Sequence, residues 1–432
     1  METRTQLAVN GGMVVRSGVQ SPTGQQSTLV DRAGNPIVGG TDYIYIPPFI
    51  TFATPRNMVR TMHLEELRDG LVRWSRDYAP RDIERSPNQY HVGFNPEGRM
   101  MIGPLDPITR SVNTSSAMLF TKTGLAQLGY EVLPSRGLAV LRDLAAIRLA
   151  RQEGMSEGSM LAMGAWNTFM HDPKNYDLRK PLKFRTIELP EGPVVYSVVS
   201  QSYTPFDDLV VIEQLLKIQT IRNMFVLWCR RTTDGMFIRL AMEQPVLDKP
   251  IKMVELWNSG SARSSLGLRG GMFRLKCTNG AFSWDDKSEY SWNHVGDPYR
   301  IHRGLRDAMT NIDVAASGVI REYTEALSMQ IEDMFEYMNQ VFAAGPKDLR
   351  LTEDQLKATK DALHDPTTTP GYTVASLLDA GTLAAQKETD DFDQRDMELK
   401  VSRAFARAMA TARENRGYVP VRRSPARSSM MA

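Results

Sequence analysis

The chain has 432 residues, 42% hydrophobic and 24% charged, with a formal net charge of +2. These are the proportions of an ordinary globular protein, long enough for two or three domains and a large core. No stretch approaches the roughly 20 apolar residues that a membrane helix needs, and Met1–Thr28 is polar and Gly/Thr/Gln-rich, unlike a secretory leader.

The two cysteines, Cys229 and Cys277, form no CxxC or Cys/His cluster, which fits a reducing cytoplasm and gives no zinc site. Charge is unevenly spread: residues 307–400 carry a net −11 and residues 401–432 a net +6. An acidic helical block followed by an Arg-rich end reads as an interaction device. Its tail seeks phosphate or an acidic neighbour, the acidic block of an adjacent subunit included.

In chain order, residues 1–60 read as an extended arm with one or two strands, such as Tyr43–Ile46, and Met62–Ala79 as a short helix. Tyr90–Pro104 reads as a Gly/Pro-broken loop. A helical stretch starts at Thr121, with Leu125 and Leu128 on one face, and resumes over Leu138–Ala145. Leu182–Leu189 and Val194–Ser200 read as strands, and Asp207–Arg222 as a helix. Met224–Arg230 and Met236–Glu243 form a hairpin around Thr233-Asp234-Gly235, an Asp-Gly pair suited to positive φ. Lys252–Trp257 and Met272–Cys277 are further strands, the second closed by Thr278-Asn279-Gly280. From Leu305 to Val341, apolar residues recur at the 3.6-residue period of one continuous amphipathic helix, which Gly345-Pro346 stops. Helices over Thr352–Leu363, Tyr372–Lys387 and Asp391–Glu414 follow, then a Pro/Arg/Ser/Met tail.

These segments resemble a known family once placed in order. Thr121–Leu128 (TKTGLAQL), Val198–Asp208 (VVSQSYTPFDD), Trp257–Leu268 (WNSGSARSSLGL), Met272–Gly280 (MFRLKCTNG) and His294 within Trp292–Gly296 (WNHVG) are similar to the motifs of a phage/plasmid-like family. That family is a domain of unknown function, number 932. Thr373–Phe405 resembles its closing helices, Glu398 included. The resemblance spans residues 111–410 and lends no established activity. It implies residence on mobile DNA, among replication and recombination genes, in the cytoplasm of a bacterial host or in the virion.

Few residues point to chemistry. Cys277, between Lys276 and Thr278, has a cation beside its thiol, but no His is positioned in sequence to activate it, so a small inward-facing strand residue is the favoured reading. His294, His302 and Asp297 have neither helical nor finger-type ligand spacing. Gly260–Gly271 is Gly/Ser-rich and carries Arg263 and Arg269. It suits either a phosphate cradle or a tight connection, and lacks the GxxxxGK[ST] pattern of a nucleotide loop. Asp207-Asp208 reads as a helix cap.

Lys183, Arg185, Arg230, Arg231, Arg239, Lys252, Arg274 and Lys276 all lie on or beside proposed strands. In one sheet they would line a groove that tracks a phosphate backbone, together with Arg263 and Arg269, with Tyr203, Trp228 or Trp257 available for base stacking. Such residues are also ordinary on the exposed face of an antiparallel sheet.

The expected fold is α+β. An antiparallel sheet of about five strands from 182–280 packs on helices, within a core of residues 111–306. It follows an N-terminal arm over 1–110 and precedes a long helix over 307–345, a helical block over 346–419 and a basic tail over 420–432. This arrangement loosely resembles the ring-forming single-strand annealing proteins of phages. The expected function is a homo-oligomer that binds nucleic acid, single-stranded DNA first, with no cofactor, no metal and no membrane. A virion or assembly protein is the alternative, and an enzyme of unidentified reaction a second one.

Overall fold

The computed structural model describes residues 8–9, 13–15, 44, 49–52, 62–95, 99–104, 106, 108, 112–121, 123–125, 127–128, 167, 181–204, 206–261, 264–276, 279–284, 288–294, 298–388 and 391–421. The helical resumption over Leu138–Ala145, the turn at 277–278, Arg263 and the tail from 422 lie outside them.

The chain opens with β1 (Ala8–Val9), β2 (Met13–Val15), β3 (Ile50–Phe52) and β4 (Met62–His63). Helix α1 (Leu64–Tyr78) follows. Leu64, Leu67, Leu71, Trp74 and Tyr78 fall on its buried stripe, Glu66 accepts from the His63 N–H at 3.2 Å, and left-handed Ala79 (φ 39°) ends it. Next come β5 (Arg81–Arg85), β6 (His91–Phe94), β7 (Met100–Gly103) and β8 (Met118–Phe120). The expected loop over Tyr90–Pro104 therefore holds two strands. Met100, Met101 and Ile102 are buried on both faces, so they lack the alternation by which a strand is read.

Strands β9 (Leu182–Leu189) and β10 (Gly192–Ser200) form a hairpin whose turn uses Gly192 at φ 115°. Helices α2 (Asp208–Leu216) and α3 (Gln219–Arg222) divide the single expected helix. The strands β11 (Phe225–Arg231), β12 (Met236–Ala241), β13 (Pro250–Asn258), β14 (Leu266–Lys276), β15 (Asn279–Trp284) and β16 (Tyr290–Trp292) then run in succession. The long helix α4 (Pro298–Ala326) leads into β17 (Gln330–Ile331) and α5 (Met334–Met338). Helices α6 (Glu353–Ala362), α7 (Val374–Ala385) and α8 (Asp391–Glu414), then β18 (Tyr418–Val419), complete the described chain.

The fold is α+β with largely antiparallel sheets. Among the described residues the larger sheet has the order β1-β2-β3-β11-β12-β13-β14-β15, with β4 also on β11 and β16 on β14. The smaller has the order β5-β9-β10-β8-β7-β6, in which β8 and β10 are parallel. The strands expected to share one sheet are thus split. One face of the β9–β10 hairpin, with Ile187, Val194 and Tyr196, joins the core beneath the larger sheet. On its other face Phe184, Val195 and Val198 cluster with side chains of β6–β8 in the same sheet and with Leu125 and Leu128.

Helix α4 joins two cores. Leu305, Met309 and Ile312 pack under β13 and β14, while Val319 and Tyr323 face α5, α7 and α8. The expected single helix to Val341 stops at Ala326, because Gln330 and Ile331 pair in parallel with Tyr418 and Val419. Asp333 then caps α5 by accepting from the Glu336 N–H at 3.0 Å. The apolar spacing survives the break, since Ile331, Met334 and Met338 stay buried in the same core.

Candidate functional site

Four of the sequence motifs meet in space beside the start of α2. At the end of β13, Asn258 Nδ2 donates to the Phe206 carbonyl and to Asp208 Oδ1, each at 2.7 Å. The hydroxyls of Ser259 and Ser261 both donate to the Asp234 carbonyl at 2.7 Å. The Gly260 carbonyl accepts from Arg185 Nη1 at 2.5 Å. Tyr203 Oη lies 3.2 Å from the Ser259 carbonyl and 3.2 Å from His294 Nδ1, and the two rings stack with centroids 5.2 Å apart. From the helical entry, Gln127 donates to the Ser261 carbonyl and accepts from the Val198 N–H at 3.0 Å. Gly235 belongs to this junction too. It has no positive φ, and a Cβ there would sit 2.6 Å from the Asn258 carbonyl, so close approach rather than turn geometry requires glycine.

Arg185 is the electrostatic centre of the junction, with Asp82 at 3.0 Å, Asp207 at 2.7 Å and the rings of Tyr196 and Tyr203 at 5.5 and 5.6 Å. Burial opposes its charge, but Tyr196, Asp207 and Asp82 outweigh burial and raise its pKa. Burial, then the nearby Arg185, pushes His294 down to about 4, so the imidazole is neutral at pH 7. Burial also raises the Tyr203 hydroxyl, which stays protonated. A neutral Tyr–His pair is a hydrogen-bonding device and not an activated nucleophile. The expected capping role of Asp207-Asp208 is replaced by pairing: Asp207 makes no cap bond, and Asp208 binds Arg231 Nε at 2.8 Å. Arg231 also lies 3.6 Å over the Trp74 ring.

A second polar cluster lies where α8 covers the larger sheet. Arg239, Glu255 and Arg269 sit directly across from one another on β12, β13 and β14. Arg239 donates from Nε to Glu255 at 3.1 Å and from Nη2 to Glu398 at 2.5 Å. Arg269 Nη2 is 2.5 Å from Glu255, and Arg395 Nε is 3.5 Å from the same carboxylate. The rings of Trp228, Trp284 and Trp257 lie 5.0, 4.0 and 3.8 Å from Arg239, Arg269 and Arg395 respectively. Burial would raise Glu255, but Arg269, Arg239 and Arg395 together hold it below the usual carboxylate range.

The strand-borne arginines therefore do not line an open groove. Arg185, Arg231, Arg239 and Arg269 are buried in ion pairs, and Tyr203, Trp228 and Trp257 are buried beside them. Lys183 donates to the Tyr203 carbonyl at 2.9 Å, and Lys252 to Asp313 at 2.8 Å. Arg274 binds Asp248 at 3.0 Å and Thr369 at 3.2 Å, and also reaches Tyr323. Arg230 is half-buried on β11, and Lys276 ends β14.

Sequence reasoning missed Asp82, Glu255 and Arg395. Only Glu255 carried a visible signal, as one carboxylate inside the apolar run Met253-Val254-Glu255-Leu256-Trp257. Among the described residues no group of His, Cys, Asp and Glu is placed to hold a metal ion, and no helix is long and apolar enough to cross a membrane. The chain matches no protein-family model, no curated protein and no solved structure.

Proposed function

We propose that the chain is a nucleic-acid-binding protein of phage or plasmid type that takes single-stranded DNA in the cytoplasm of a bacterial host. Its phosphate contacts fall on the Arg263-bearing loop and the basic tail, not on the strand faces. The observation that carries this reading is the anchored root of that loop. Asn258, Ser259, Gly260 and Ser261 are fixed by Asp208, Asp234, Arg185 and Gln127, so the chain enters the Gly/Ser/Arg stretch from a rigid base. A preset base lowers the entropy lost when a loop closes on a ligand. The tail also leaves from a fixed point, since the Val421 N–H donates to Glu332 at 3.0 Å.

Self-association belongs to this reading through charge. The apolar stripe of α4 is covered within the chain, so it supplies no oligomer surface. The tail of one copy, with Arg422, Arg423 and Arg427, would instead meet the acidic helices of the next.

The test is fluorescence anisotropy of single-stranded DNA at several salt concentrations. Affinity should fall steeply with salt, and Arg263→Ala or deletion of residues 422–432 should flatten the slope by about 0.7 per lost phosphate contact. No detectable affinity at low salt overturns the reading. A virion or assembly role would then lead, favoured by the use of the strand arginines in internal pairs. Mass spectrometry of purified particles would find the chain in abundance.

A further inference from the structure

Between the Gly260–Gly271 stretch and α4, the larger sheet carries a short aromatic edge. Among the described residues β16 pairs with β14 alone, with Leu266 opposite Trp292 and Leu268 opposite Tyr290. Tyr290 and Trp292 stand two apart on the strand, so both point to the same side. Their ring planes lie within 18° of parallel, with centroids 6.5 Å apart. Both are half-buried: each packs in part on the core beneath the larger sheet and keeps the rest of its surface in solvent. The indole is also held by α4. A Cβ at Gly304 would fall 2.5 Å from Trp292 Nε1, so glycine is what lets the helix approach this closely. Arg303, the residue before it, is exposed. On the other side, β14 starts at Leu266, three residues after Arg263. A chain of that length keeps the two Cα atoms within about 11 Å.

We propose that Tyr290 and Trp292 form a stacking platform for unpaired bases, with Arg303 beside it as a phosphate contact. The proposal rests on the nucleic-acid reading above and adds how a single strand is told from a duplex. Within a duplex each base face is covered by its neighbours, so a protein ring reaches only bases that are free to splay out. Every base has a π-face, so such a platform tolerates any sequence. Rings already held by the sheet and by α4 lose little freedom when a base arrives. The aromatic residues of the other motifs do not serve. Tyr203, Trp228 and Trp257 are buried, and Arg239 and Arg395 lie over the last two rings at 5.0 and 3.8 Å. Glu289, next to Tyr290, lies 3.7 Å from Arg395, which offsets its repulsion of a phosphate.

The experiment compares binding of the full chain to oligothymidine and to an abasic strand with the same number of phosphates. Stacking of one base on a protein ring is worth about 5- to 150-fold in affinity. The intact chain should prefer oligothymidine by a factor in that range or above it. Trp292→Leu keeps apolar bulk on the core and should lose most of this preference, with the salt slope unchanged because no phosphate contact is lost. Arg303→Ala should flatten the slope by about 0.7 and keep the preference. No binding of either strand at low salt overturns this proposal together with the nucleic-acid reading. Equal binding of both strands by the intact chain, or a preference unchanged in Trp292→Leu, overturns the platform alone. Should Trp292→Leu fail to fold, photocrosslinking of the intact chain to a strand carrying 5-iodouracil decides it. Adducts mapped to Tyr290 or Trp292 support the platform, and their absence from both residues overturns it.

Discussion

The carboxylate of Glu398 on α8 accepts from Arg239 in the middle of the larger sheet at 2.5 Å, across 159 positions of sequence, with both side chains 1% exposed. The pair fixes the last long helix to the central strands through charge instead of apolar contact alone. Removing one member of a buried pair leaves the other uncompensated, at a cost of about 3–5 kcal/mol, whereas replacing both with apolar residues is often neutral. Glu398→Leu leaves Arg239 with Glu255 alone, so it should destabilise the chain by up to that amount. Arg239→Leu in the same chain should restore most of the loss. Urea unfolding of the four-member cycle measures this, and additive single effects would mean the residues are uncoupled.

His294 gives a pH dependence whose sign is set. Its pKa is pushed down to about 4 in the folded chain, against about 6.5 when unfolded. Above pH 6.5 both states hold a neutral imidazole and stability is complete. As pH falls from there toward 4, the unfolded chain takes up a proton that the folded site refuses, and unfolding gains up to about 3 kcal/mol. His294→Gln should show a shallower loss of stability between pH 7 and pH 4.5 than the parent. Identical slopes would remove His294 from the acid response.

Two helical glycines should respond in opposite senses to alanine. A Cβ at Gly318 in α4 meets nothing within 4 Å, so Gly318→Ala should stabilise the chain by roughly 0.5–1 kcal/mol. At Gly381 in α7 a Cβ would lie 2.5 Å from Val401 of α8, so Gly381→Ala should force the two helices apart and lower the melting temperature. Differential scanning calorimetry reads both.

On the surface, Arg413 pairs with Glu325 at 2.6 Å and Glu322 at 3.3 Å, all three about 40% exposed. Exposed ion pairs contribute about 0–1 kcal/mol. Arg413→Ala should thus change stability far less than Glu398→Leu, and molar salt should erase the small effect of Arg413→Ala while leaving that of Glu398→Leu. A larger, salt-insensitive loss would show that the Arg413 stem packs on α4.

Legibility in the sequence followed how local the signal was. The helices α1, α6, α7 and α8 were readable because each carries its own stripe, and α6 and α7 also carry a Thr cap, Thr352 and Thr373. The β11–β12 hairpin was readable as well, though its glycine serves Asn258 and not the turn. The site was only half readable. The motif residues Tyr203, Asn258 and His294 were singled out, but nothing in one dimension shows that they touch. An arginine set among apolar residues, as on β12 and β14, looks the same whether the far face meets water or a helix. Here α8 covers it, and what reads as a basic surface is an ionic core.

The pairing of β17 with β18 has a consequence for synthesis. Ile331 waits for Val419, and Phe52 for Cys229, before either has its strand partner. On the ribosome, the second core therefore stays open until β18 has emerged, with α4 presenting Val319 and Tyr323 to whatever is nearby. Non-local pairing of this kind is slow to form and leaves an incomplete chain with exposed apolar surface, the condition under which chains misassociate.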